Sequence, residues 1–199
     1  MLNIIIFGPH GSGQGTQSKR IAEKYDLIHL STGDLLREEV KRGTNIGKQV
    51  QYYIDQGELV PDFIIMKELY IKATEHINSR GFIFDGFPRT IVQAEMLDKM
   101  LEKREIPVNI VLNIIVDEDE LIKRMIGRGV DSERSDDQED IIHKRINVYK
   151  QQTYPLINFY KHQGKLISID GMERVDKVFK KICTAVDAYI SDKTIMESM

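Results

Sequence analysis

Residues 3–16 constrain this chain more than any others. A short isoleucine-rich run, Asn3 to Phe7, breaks at Gly8-Pro9-His10-Gly11-Ser12-Gly13, and Thr16 to Tyr25 then has helical composition without proline. A run so short and apolar fits a strand buried on both faces of a parallel sheet. The glycines must then turn strand into helix within a few residues. Similar runs return at Phe82–Phe84, Ile110–Val116 and Leu166–Ile169, each between longer amphipathic stretches, and Ile28–Leu30 adds a fifth. Strands alternating with helices imply βαβ crossovers. The expected fold is α/β, a three-layer sandwich with a mainly parallel five-stranded sheet and helices on both faces.

The last helix is the plainest: Val175, Val178, Phe179, Ile182, Val186 and Ile190 recur at three- and four-residue spacing, making one apolar face. Cys183 sits beside that stripe as a packed core thiol, and the polar residues Ser191–Met199 are expected to fray. Two stretches fit the sheet poorly and read as excursions, from Ser31 to Val60 and from Gly127 to Asp137. The expected organisation is therefore a core of residues 1–30, 61–126 and 138–199, a lobe at 31–60 and a short lid at 127–137.

Gly8 to Gly13, followed by Gln14-Gly15-Thr16, comes close to the phosphate-loop pattern of glycine, four residues, glycine, lysine and Ser/Thr. Its glycines let successive N–H groups point inward, and the helix N-terminus adds partial positive charge. A plain strand-to-helix turn would not need three glycines at these spacings and a following threonine. One position departs from the pattern. Lysine is expected at 14, where its ammonium reaches the transferring phosphates, and glutamine stands there. Losing one preorganised transition-state donor costs about 3–4 kcal/mol, or about a hundred- to thousandfold in rate. Lys19 lies about 140° further round the helix, which disfavours direct replacement, whereas His10 offers a donor if protonated.

Charge excludes some partners. With 28 Lys+Arg against 31 Asp+Glu, the net charge of −3 argues against a bulk nucleic-acid binder. The opening apolar run is too short for a membrane span or signal core. A single cysteine excludes an intramolecular disulfide and a cysteine-built zinc site. A cytoplasmic, monomeric protein is expected.

Other segments carry chemistry. Ser31 and Asp34 make a capping box. Asp85 ends a buried strand, where open α/β sheets bind ligands and a carboxylate can orient water on a phosphate-held Mg²⁺. Arg89, four residues on, has the planar fork that suits phosphate oxygens. Arg124 and Arg128 share a helix face, with Arg134 and Arg145 beyond.

Together, Gly8–Gln17, Ser31-Thr32-Gly33-Asp34-Leu35-Leu36-Arg37, Asp85-Gly86-Phe87-Pro88-Arg89-Thr90 with Gln93, and the stretch Arg124–Arg145 resemble the adenylate kinases, nucleoside monophosphate kinases of the short-lid, zinc-free type. His10 stands where that family often has proline. The resemblance implies that Gly11, Ser12, Gly13, Gln14, Gly15 and Thr16 hold ATP phosphates, with Arg124 and Gly171 at its adenine. It implies that Thr32, Glu58, Leu59, Val60, Gly86, Phe87, Pro88 and Gln93 line AMP, whose phosphate Arg37 and Arg89 grip. Arg128 and Arg134 would clamp the ATP phosphates, with Arg134 and Arg145 also serving AMP. Gln14, Arg89, Arg128, Arg134 and Arg145 would be the catalytic set, with Mg²⁺ carried in by ATP and Asp85 reaching it through water.

The resemblance implies reversible transfer of the γ-phosphoryl group from ATP to AMP, giving two ADP and slowed by Gln14. The alternatives are a non-catalytic nucleotide-binding protein of the same fold, motivated by Gln14, and a UMP/CMP kinase, disfavoured by Thr32 and Gln93.

Overall fold

A computed structural model describes residues 1–131 and 138–197 of the chain. Five strands, β1 (Leu2–Phe7), β2 (Ile28–Ser31), β3 (Gly81–Asp85), β4 (Ile110–Ile115) and β5 (Leu166–Asp170), form one sheet in the order β2-β3-β1-β4-β5. Every pairing is parallel. Parallel neighbours need crossovers, and helices supply them: α1 (Gln14–Tyr25), α2 (Thr32–Lys41), α3 (Asn45–Asp55), α4 (Asp62–Glu75), α5 (Ile91–Glu102), α6 (Glu118–Asp131), α7 (Glu139–Val148), α8 (Leu156–His162) and α9 (Val175–Glu197). A π-helical turn, Tyr149–Thr153, joins α7 to α8.

The alternation of strand side chains builds a core on each face of the sheet. Ile5, Phe7, Phe82, Phe84 and Val111 point to one side, against Leu69 of α4, Leu97 of α5 and Tyr160 of α8. Ile4, Ile6, Ile83, Leu112 and Ile114 point to the other, against Ile21 of α1, Met125 of α6, Ile142 of α7 and Ile182 of α9. All ten of these strand residues are 2% exposed or less, which is why their runs read as continuous apolar stretches. The three-layer architecture expected from the sequence is the one observed.

Strand order reverses at β1, with β3 on one flank and β4 on the other, so a crevice opens beyond their carboxyl ends. The glycine loop leaves β1 there, Asp85 ends β3, and Ser31 ends β2 and caps α2 by accepting from the Asp34 N–H at 3.3 Å.

Two boundaries differ from the sequence reading. Helix α9 runs to Glu197, through the tail expected to fray. No glycine or proline interrupts it, and Ser191 and Thr194 donate back to the carbonyls of Asp187 and Ile190. The stripe narrows at its ends, where Val175 and Ile190 are exposed, but Cys183 is buried as expected. Helix α6 continues to Asp131, so the first residues of the expected lid belong to a helix, and 132–137 lie outside the described residues.

Candidate active site

The glycine loop is held in a shape that few side chains would allow. Gly11 and Gly13 adopt φ of 85° and 90°, and a Cβ on Gly11 would sit 2.9 Å from the Leu121 carbonyl oxygen of α6. The N-terminus of α1 has no side-chain cap and no acidic residue in its first turn, so its N–H groups face the crevice as an anion site. Gln14 opens that helix. Its Oε1 is buried with no hydrogen-bond partner among the described residues. An amide there donates without supplying charge.

A cleft of about 420 Å³ extends from this loop, within the size of small-molecule sites. Gly11, Gly13, Gln14, Gly15 and Thr16 form its phosphate-loop wall. Across from them stand Thr32 and Arg37 of α2, and Glu58, Leu59 and Val60 of the segment leading to α4. Asp85, Gly86, Arg89 and Gln93 close the floor after β3, while Arg124 and Arg128 of α6 and Arg145 of α7 complete the rim. Ser12 is buried behind the loop and does not line the cleft. The Phe87 side chain is packed into the core, and Pro88 borders a smaller cavity next door. Arg134 lies outside the described residues.

Asp85 is almost fully buried, and its Oδ2 lies 3.1 Å from His29 Nε2. The same oxygen would be 3.6 Å from a Cβ on Gly15, so the carboxylate faces the phosphate loop. Thr32 Oγ1 donates to the Gly86 carbonyl at 3.0 Å and Arg89 Nε to the same oxygen at 2.8 Å, joining α2 to the loop after β3. Thr153 donates to the Arg89 carbonyl at 2.9 Å. Gln93, fully buried, is held at both ends: its Oε1 accepts from the Arg89 N–H at 2.7 Å and its Nε2 donates to Asp62 Oδ1 at 2.6 Å.

The cations are likewise positioned. Arg37 donates to Asp34 at 2.6 Å. Burial would raise the Asp34 pKa, but the Arg37 hydrogen bond and charge outweigh it and hold the carboxyl below its ordinary value. Arg124 directs both terminal nitrogens to the Gly171 carbonyl at 3.2 Å, with its Nε on Glu120 at 2.8 Å. Gly171 therefore serves as an anchor for Arg124 and does not line the cleft. Arg145 is only 6% exposed, a desolvated cation of the kind that anionic ligands offset.

Two sequence expectations change. His10 is disfavoured as a protonated donor. Burial first, then the charges of Arg145, Arg89, Arg128 and Arg37, push its pKa well below the ordinary value. Lys19 does line the cleft despite its angular offset, because it shares a helix face with Gly15 and Thr16. Its charge acts on Asp34.

The family model for adenylate kinase matches residues 6–165. The chain belongs to the adenylate kinase family. Adenylate kinases of Bacteroides thetaiotaomicron and Phocaeicola vulgatus are 53% and 51% identical to it over 187 residues, covering 94% of this chain and 99% of theirs. That of Methanococcoides burtonii is 37% identical over 94% of this chain and all of its own.

Lys19, disfavoured by its offset from Gln14, carried a helical spacing to Gly15 and Thr16 that could have placed it at the cleft. Asp62 and His29, which hold cleft residues without lining the cleft, escaped the sequence reading, because Asp62 looks like an ordinary acidic helix start and His29 like a strand residue. Each gains its role from a partner 31 or 56 residues away. Among the described residues no helix is long and apolar enough to cross a membrane, and no group of three or more His, Cys, Asp and Glu could hold a metal ion.

Proposed function

We infer that this adenylate kinase family member transfers the γ-phosphoryl group of ATP to AMP, giving two ADP, and catalyses the reverse. The observation that carries the reading is the single cleft in which an uncapped glycine-loop helix faces Arg37, Arg89, Arg128 and Arg145. A cleft so rich in guanidinium groups fits two phosphate chains meeting end to end, and the family membership selects adenine nucleotides.

Phosphoryl transfer asks for alignment, charge neutralisation and a dry site, not for a protein nucleophile. The loop N–H groups and the Gln14 amide hold the ATP phosphates, Arg124 braces the adenine end, and Arg37 and Arg89 hold the AMP phosphate. Arg128 and Arg145 stand between, where charge develops in transfer, and Arg134 joins them on this reading. Gln93 and the Thr32 side meet the AMP base. Segment 31–60 acts as the AMP lobe and 127–137 as the lid, which close to exclude water.

The residues suit a metal that arrives with substrate. Asp85 faces the phosphate loop, and the described residues offer no carboxylate cage. Magnesium bound to ATP would neutralise phosphate charge, with Asp85 ordering one of its waters. A monomer in the cytoplasm goes with this reading, and the free, buried Cys183 fits a reducing compartment.

The test is ADP formation from ATP with AMP, CMP or UMP as acceptor. AMP should be used best by at least about tenfold in kcat/KM. Preference for a pyrimidine nucleotide would overturn the acceptor assignment. Binding of both nucleotides without turnover would favour the non-catalytic reading that Gln14 raises.

A further inference from the structure

His10 lies within the phosphate loop, four residues before Gln14, and the mechanism above gives it no task. Its position is central. It borders the main cleft and also an adjoining cavity of about 20 Å³, shared with Gln14, Arg89 and Arg145 and large enough for one water molecule. Its Nε2 lies 3.1 Å from Arg89 Nη1. A guanidinium only donates, so Nε2 accepts in this contact, which puts the proton of a neutral ring on Nδ1.

Burial and the groups around the imidazole explain this state. Burial disfavours its charged form most, and Arg145 of α7, Arg89 after β3, Arg128 of α6 and Arg37 of α2 then oppose a further positive charge. Tyr149 of the π-helical turn borders the small cavity as a neutral phenol, its pKa pushed up to about 12 by burial and then by Tyr154. Among the described residues, the cleft carboxylates are engaged elsewhere: Asp34 by Arg37, Glu58 by Lys144 at 2.9 Å, and Asp85 by His29. Two nucleotides in the cleft would reverse the balance: their phosphates would offset the arginine charges, compete for Arg89 and present anionic acceptors to the ring.

We propose that His10 is a cation formed on demand. It takes a proton from solvent as ATP and AMP fill the cleft and donates a hydrogen bond to the phosphoryl group in transfer. It thereby supplies at position 10 part of the charge that Gln14 lacks, and it returns the proton when products leave. This rests on the nucleotide reading above.

Calorimetric titration with a non-hydrolysable MgATP analogue in the presence of AMP, near neutral pH and in two buffers of different ionisation enthalpy, counts the protons. Uptake should approach about one per complex. It should vanish in His10→Gln and fall in Gln14→Lys, where a permanent cation competes. Ring shifts of His10 by NMR in the unaltered protein should change from the neutral to the cationic form on binding, whatever the variants do to the loop. Normal binding heat with no proton uptake, or uptake unchanged in His10→Gln, would overturn the proposal. Absence of any binding heat would overturn the nucleotide reading, and this proposal with it.

Discussion

Asp62→Ala isolates the side chain that aims Gln93. Gln93 is fully buried, and its amide is oriented by the Arg89 N–H at 2.7 Å on the oxygen and by Asp62 at 2.6 Å on the nitrogen. Removing the acceptor leaves a buried N–H donor unpaired, which costs about 1–3 kcal/mol. The amide then escapes this cost by turning, at the expense of the orientation it would present to the AMP base on the proposed reading. With about 1–2 kcal/mol falling on AMP recognition, KM for AMP rises about five- to thirtyfold, at about 1.4 kcal/mol per factor of ten. KM for ATP and kcat should stay within about twofold, because uniform binding at one subsite is what has been lost. Asp62→Asn keeps an acceptor oxygen in place and should recover most of the effect. Initial rates by coupled assay, with each nucleotide varied in turn, read all three quantities. An unchanged KM for AMP in Asp62→Ala, or equal rises for both nucleotides, would refute the reasoning.

Two further substitutions probe the frame around the cleft. In Gly171→Ala the new Cβ would lie 2.5 Å from Ile114 Cγ2 and 2.7 Å from Val116 Cγ2, an overpacking cost of about 1–3 kcal/mol. Thermal unfolding should shift down by roughly 2–12 °C, and KM for ATP should rise more than KM for AMP because relief of the clash displaces the residue 171 carbonyl that anchors Arg124. Tyr160→Phe should be neutral or stabilising by about 1 kcal/mol in urea unfolding, because the hydroxyl is buried with no hydrogen-bond partner among the described residues. A clear loss of stability would mean that this hydroxyl is satisfied in solution.

The sheet was legible because its strands are buried on both faces: Ile4–Phe7 and Phe82–Phe84 have no solvent side to interrupt the apolar run. The glycine loop was legible because its conformation demands glycine at 11 and 13. Helix ends were harder. The polar composition after Ser191 signalled exposure, which α9 shows, but polarity does not break a helix that lacks glycine and proline. Arg89 could be read from its spacing after Asp85 and Gln93 from the family resemblance, whereas Asp62 and His29 could not, since only tertiary packing brings them to Gln93 and Asp85. The state of His10 was hidden for the same reason. Burial and the charges of arginines from three helices and one loop set it, and no local pattern records them.

The protein is a phosphotransferase of the adenylate kinase family whose phosphate loop lacks one positive charge, at Gln14. The most direct test of its function is the rate of ADP formation from ATP and AMP by the unaltered chain and by Gln14→Lys, under saturating magnesium. The unaltered chain should produce ADP above background, and lysine should raise kcat by about ten- to a thousandfold, nearer the lower end to the extent that His10 already supplies charge. No ADP from either protein would contradict the enzyme reading. Equal rates from both would contradict the claim that position 14 limits this site.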